Sequence, residues 1–172
     1  YENGLYSFAS KFSLVITLFS TVISMAVIEE AYSYKTLDEY REKLSSLIGT
    51  VSKAYFSLIL LAVPAINILY TIAFKNTEYY KSADYVFLLL LTALFTALSN
   101  NYGSAFQVTD KTKYITFTTL LGAVIAVVIS LVLVNVVGIY GILLGGTLGP
   151  LVMMLSRAVY AKKATGLSVN WG

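Results

Sequence analysis

Apolar residues run along this chain in long blocks, and most charged positions gather between them. Blocks at 4–28, 54–74, 83–106, 114–137 and 139–161 have the length, about 17–25 residues, that crosses about 30 Å of hydrocarbon at 1.5 Å per residue. Inside lipid, unpaired backbone groups cost several kcal/mol each, so only helices and closed barrels span it. The blocks are too continuous for barrel strands, which alternate over about ten residues. The expected fold is all-α: a polytopic membrane bundle of five transmembrane helices forming a single domain, 1–172.

One extended polar stretch separates the first two blocks. Thr36 and Glu39 fit a capping box, in which hydroxyl and carboxylate satisfy backbone donors at a helix start. Leu37, Tyr40, Leu44, Leu47, Ile48 and Val51 then recur at helical spacing, opposite Asp38, Glu39, Arg41, Glu42 and Lys43. The pattern predicts a cytoplasmic amphipathic helix over about 36–53, either lying at the membrane interface or serving as a solvated linker.

Proline and glycine punctuate the spans. Pro64 and Pro150 each remove a helical hydrogen bond and invite a kink. Gly141, Gly145 and Gly149 form two successive small-xxx-small steps that admit close helix contact. Gly138 permits a tight turn, so the fourth and fifth spans should form an antiparallel hairpin. Many of the 14 tyrosines lie at span ends, as in an aromatic belt.

Composition sharpens this picture. The chain is 58% hydrophobic and 12% charged, with mean hydropathy +0.76, whereas soluble domains run at about 45–50% apolar and about a quarter charged. That excludes an ordinary soluble domain and a disordered chain. Histidine and cysteine are both absent, so chemistry that needs an imidazole or a thiol is excluded. Of the 12 Lys and Arg, Lys35, Arg41, Lys43, Lys53, Lys111, Lys113, Arg157, Lys162 and Lys163 fall to one side. Lys11, Lys75 and Lys81 fall to the other. This bias places the C-terminus in the cytoplasm of a multi-pass protein of the cell (inner) membrane. The N-terminus is then outside with no basic leader before it, so the chain is expected to be the C-terminal part of a longer membrane protein.

Lys11 is the sharpest single feature, seven residues into the first span and about 10 Å deep at 1.5 Å per residue. Two readings stand: a functional cation facing protein or water, or a side chain that snorkels to the outer interface. Ser10, Ser13, Thr17, Ser20, Thr21 and Ser24 project within an arc of about 100° on the same helix. Ser7 lies between that stripe and Lys11. Asn67, Asn100, Asn101, Gln107 and Asn135 are the expected buried amides. Arg157 is either an interfacial anchor or a receiver of an anionic group. The candidate substrate-binding set is Lys11, Ser7, Ser10, Asn67, Asn101 and Arg157. Glu29 and Glu30 are adjacent and point about 100° apart on a helix, which is no acid–base pair. No phosphate-binding Gly-Lys-Ser/Thr loop occurs. The expectation is a non-enzyme without cofactor or metal and without a nucleic-acid partner.

Several segments resemble a known family. Gly4-Leu5-Tyr6-Ser7-Phe8-Ala9-Ser10-Lys11 is similar to the Gly-x-Tyr-x-x-Ala-x-Lys segment opening a span of polysaccharide (O-antigen) flippases, members of the multidrug/oligosaccharidyl-lipid/polysaccharide exporter superfamily with the MATE-type fold. Asn101-Tyr102-Gly103, Lys111-Thr112-Lys113, Gly138-Ile139-Tyr140-Gly141 and Arg157 continue the resemblance. The chain departs from the family at Gly122-Ala123-Val124 and at Tyr140-Gly141-Ile142. The resemblance implies the C-terminal lobe of a MATE-like transporter, in which Lys11 lines a central cavity. It further implies flipping of an undecaprenyl-pyrophosphate-linked oligosaccharide to the outer leaflet by alternating access. Membrane lipids, a lipid-linked glycan, a coupling ion (Na+ or H+) and glycan polymerase or assembly proteins are the implied partners. Alternatives are a cation-coupled drug exporter of the same fold, a non-catalytic subunit of a membrane glycan-assembly enzyme, and a structural scaffold.

Overall fold

The computed structural model describes residues 1–167, the side chain of Leu37 excepted. Residues 168–172 of the expected domain, and the place of Leu37 in the amphipathic stripe, lie outside the described residues. The described chain is helical throughout, with α1 (Glu2–Tyr32), α2 (Leu37–Leu69), α3 (Ala83–Val108), α4 (Lys113–Val137) and α5 (Ile139–Thr165). A π-helical turn, Tyr70–Phe74, extends α2, and a 3-10 turn, Glu78–Ser82, leads into α3. Five helical segments are long and apolar enough to cross a membrane.

α3 is the hub. It packs against α1 and α5 and more lightly against α2, while α4 packs almost wholly on α5. The core follows: Leu90, Ala93, Leu94, Ala97 and Leu98 of α3 are buried against Leu5, Ala9 and Ile16 of α1 and Leu143 of α5. Thr147 of α5 donates to the Leu88 carbonyl at 3.2 Å, and its hydroxyl lies 3.0 Å from that of Thr92. Outward faces are strongly apolar, including Leu18, Phe19 and Val22 on α1 and Leu131, Val132 and Val136 on α4. Such continuous exposed apolar surface suits lipid.

The polar stretch after α1 is continuous with the second span. The Thr36 hydroxyl accepts from the Glu39 N–H at 3.2 Å, and Glu39 reaches back to the Lys35 N–H. The capping box is therefore present, with its return bond one residue upstream. At 1.5 Å per residue the 33 residues of α2 measure about 50 Å, far more than one hydrocarbon core needs. Its first half caps the end of the bundle. Tyr40, Leu44 and Ile48 are buried against Tyr102, Phe106, Ala161 and Leu167, while Leu47 and Val51 of the same stripe are half-buried.

Both ends are tied. At the end rich in Lys and Arg, Tyr40 Oη donates to the Ala105 carbonyl at 2.9 Å. Arg41 Nε reaches the Thr165 carbonyl at 3.3 Å, and Lys111 Nζ donates to the Ala164 carbonyl. Cations thus meet the free carbonyls at the α5 C-terminus, where the helix dipole favours them. At the opposite end Phe8 gathers Phe12, Tyr70, Phe74 and Tyr79, with ring centroids 4.6–6.2 Å apart.

The hairpin between α4 and α5 turns on Gly138, at φ +60°, a conformation that L side chains adopt at a cost. Its zipper is tight. A Cβ at Gly145 would lie 2.5 Å from the Ala126 carbonyl oxygen, and one at Gly149 would lie 2.6 Å from Ala126 Cβ. Both helices containing proline run on without a break. Pro150 leaves the Gly146 carbonyl without its helical donor, and a Cβ at Gly146 would meet nothing within 4 Å. Gly145→Val should therefore overpack the hairpin and cost about 1–3 kcal/mol. Gly146→Ala should be neutral or gain up to about 1 kcal/mol from helix propensity. Thermal unfolding of the purified protein in detergent separates the two.

Candidate functional site

Several polar side chains from four helices meet at one junction of the bundle. A groove of about 200 Å³ runs between α1 and the α4–α5 hairpin, floored by α3 and lined by Thr21, Ser24, Asn100, Gly103, Gln107 and Arg157 together with the apolar Met25, Ile28 and Ile115. It forms because α1 and α4 pack on different neighbours, α3 and α5, rather than on each other.

Arg157 sits in its wall and is only 4% exposed. Nε donates to Thr118 Oγ1 at 3.1 Å, and Nη2 to Thr119 Oγ1 at 2.9 Å. Nη1 donates to the Ser99 carbonyl at 3.0 Å and to Asn100 Oδ1 at 3.5 Å. One side chain of α5 thereby ties α3 to α4. Gly103 leaves room for it, since a Cβ there would lie 3.1 Å from Nη1. Every acceptor is neutral. The ion pairs Arg41–Asp38 and Lys43–Glu39 lie on the first turns of α2, away from the Arg157 side chain. Hydrogen bonds to neutral groups satisfy the N–H donors but leave the positive charge uncompensated. In an apolar surround such a charge attracts an anion far more strongly than it does in water. Arg157 is thus buried within the bundle.

The six candidates do not form one site. Arg157 and Asn101 lie in the half nearer the basic end. Asn101 is fully buried behind the groove, accepting from Ser24 Oγ at 3.1 Å. Lys11 and Ser7 are exposed and Ser10 is half-buried. Lys11 and Ser24 are thirteen positions apart along α1, about 20 Å at 1.5 Å per residue. The Lys11 ammonium lies over the Phe8 ring, 5.9 Å from its centroid. The Ser10 hydroxyl donates to the Ser7 carbonyl at 2.9 Å. Asn67 is exposed near the far end of α2, remote in sequence and element from the groove residues.

Of the five amides expected to be buried, Asn101 is, whereas Asn67, Asn100, Gln107 and Asn135 are exposed. Burial here depends on which face of a helix meets a neighbour, and span position does not encode that. The hydroxyl stripe of α1 divides in the same way. Ser20 and Ser24 are buried, while Ser13, Thr17 and Thr21 donate to carbonyls of their own helix. Ser99, Thr118 and Thr119 are the partners that sequence reading missed, because they gather only when three helices meet.

Among the described residues no three acidic side chains come together as a metal ligand set. Compared with family models, with curated proteins and with solved structures, the chain gives no match.

The absence of native cysteine makes the groove directly testable by single-cysteine labelling. Asn100→Cys and Gln107→Cys should react with a hydrophilic maleimide in membranes, because thiolate formation needs water. Asn101→Cys and the outward-facing Val127→Cys, midway along α4, should stay unlabelled.

Proposed function

We propose that the chain belongs to a membrane flippase that translocates a lipid-linked oligosaccharide or polysaccharide repeat unit, carried on undecaprenyl pyrophosphate, to the outer leaflet. The single observation that carries this reading is Arg157: a buried cation with neutral partners only, in the wall of a groove of mixed polar and apolar lining. A pyrophosphate supplies the missing negative charge. Thr21, Asn100 and Gln107 beside it offer the hydroxyl and amide groups that sugars bind. The outward apolar faces of α1 and α4 suit the lipid chain, which can stay in the bilayer while its headgroup crosses.

In this proposal the basic end of the bundle faces the cytoplasm, in line with the excess of Lys and Arg there. The headgroup then enters near Arg157 and leaves toward the end where Lys11 lies. Alternating access supplies the movement, and the bundle acts as one lobe of a MATE-like transporter. The uncompensated charge favours an anionic substrate over the cationic drugs of the alternative exporter reading, because a cation entering this groove would be repelled by Arg157.

Complementation of a strain lacking its polysaccharide flippase tests the proposal. With the full-length protein, Arg157→Ala should abolish surface polysaccharide and Arg157→Lys should retain part of it, with membrane levels matched by immunoblot. Lys11→Ala should reduce export and Lys11→Arg should preserve it. Normal export by Arg157→Ala at wild-type abundance would overturn the role given to the groove.

A further inference from the structure

On the flank of α1 turned away from the Arg157 groove lies a second crevice, of about 570 Å³, between the last turns of α1 and the first half of α2. That is within the roughly 300–1,000 Å³ of small-molecule sites. Its α1 wall is Ile23, Val27 and Glu30, spaced by four and three residues and so on one helix face. Ile23, Val27, Leu47 and Val51 line an apolar end, while Glu30, Tyr34 and Lys43 stand at a polar end beside the α1–α2 turn. α1 and α2 scarcely touch here, so the crevice is open at its side, next to the exposed apolar Phe19 and Val22 of α1. The charges at its mouth are uneven. Lys43 Nζ is already held by Glu39 Oε1 at 2.5 Å and lies over the Tyr34 ring, 5.6 Å from its centroid. Glu30 is exposed and belongs to neither ion pair at the start of α2. Lys35 lines a separate cavity with Lys111. Glu30 and Glu39 against Lys43 leave a carboxylate in surplus.

We infer that this crevice holds a membrane phospholipid whose headgroup carries a primary ammonium, as phosphatidylethanolamine does, drawn from the leaflet at the basic end of the bundle. An acyl chain enters from the open side and covers Ile23, Val27, Leu47 and Val51. The headgroup ammonium donates to the Glu30 carboxylate, a charge-assisted contact. The phosphate accepts from the N–H groups of Lys43 that Glu39 leaves over, since an ammonium has three, and from the Tyr34 hydroxyl. Charge complementarity selects this headgroup. Phosphatidylcholine brings a cation with no N–H to donate, and phosphatidylglycerol brings only negative charge to a mouth that already has a surplus of it. The bound lipid fills the gap between α1 and α2, where protein packing is thin. The site is independent of what the Arg157 groove carries.

Photo-crosslinking of the full-length protein tests this. Ala26, an exposed residue lining the crevice, is replaced by p-benzoylphenylalanine. The protein is then irradiated in vesicles of equal phosphatidylethanolamine, phosphatidylcholine and phosphatidylglycerol, and intact mass identifies the adduct. Phosphatidylethanolamine adducts should exceed each of the others by about threefold, the scale of one exposed charge contact. Glu30→Gln should make the three equal without moving the Tm, because Glu30 is exposed. The same probe at Leu131, on the outward face of α4, should show no preference. Equal adducts at Ala26, a preference that survives Glu30→Gln, or the same preference at Leu131 would overturn the proposal. A crosslink to another segment of the chain or to a second copy would overturn it too, by giving the crevice a protein occupant.

Discussion

A guanidinium inside a lipid-embedded bundle must find its hydrogen bonds in protein, because the surrounding medium supplies none. Arg157 finds them on three sides, in Thr118, Thr119 and the Ser99 carbonyl, with Asn100 at the margin. That requirement fixes the start of α4 against α3, two helices that otherwise scarcely touch. It also keeps the charge at the groove wall without neutralising it. The neutral partners make the buried cation tolerable, and their neutrality leaves its charge able to attract an anion.

The rest of the architecture makes room for this arrangement. The glycine zipper presses α5 onto α4 so closely that backbone meets backbone, and nearer the open end of the hairpin Arg157 adds its bonds to Thr118 and Thr119. α1 leans on α3 instead, and the space between it and the hairpin becomes the groove. Hydroxyls that face outward are satisfied locally, as Thr17 and Thr21 bond the preceding turn of α1. A polar surface can thus stand at membrane depth with little penalty.

Much of the fold was legible in the residues. The spans, the Gly138 turn, the close face of Gly141, Gly145 and Gly149, and the Thr36 cap all depend on local pattern, and the structure contains each of them. The site was legible only in part. Lys11 stands out in the sequence because charges are rare there, yet its rarity says nothing about which way it faces; it is exposed, over Phe8. Arg157 could be read from its place near the end of α5 either as an anchor or as a receiver of an anionic group. Its burial comes from α3 and α4 closing over it, and no spacing within α5 encodes that. Asn100 and Asn101 are neighbours in sequence, but one faces the groove and the other the core, since adjacent helical positions point about 100° apart.

The central claim is that the groove at Arg157 recognises negative charge on a lipid carrier. Equilibrium binding of a polyprenyl pyrophosphate and of the matching uncharged polyprenol to the purified protein measures it most directly. The account predicts that the pyrophosphate binds at least about tenfold more tightly, a difference of about 1.4 kcal/mol, and that Arg157→Gln removes the preference while leaving polyprenol binding unchanged. Equal affinity for the two lipids in the wild type, or a preference that survives in Arg157→Gln, would contradict it.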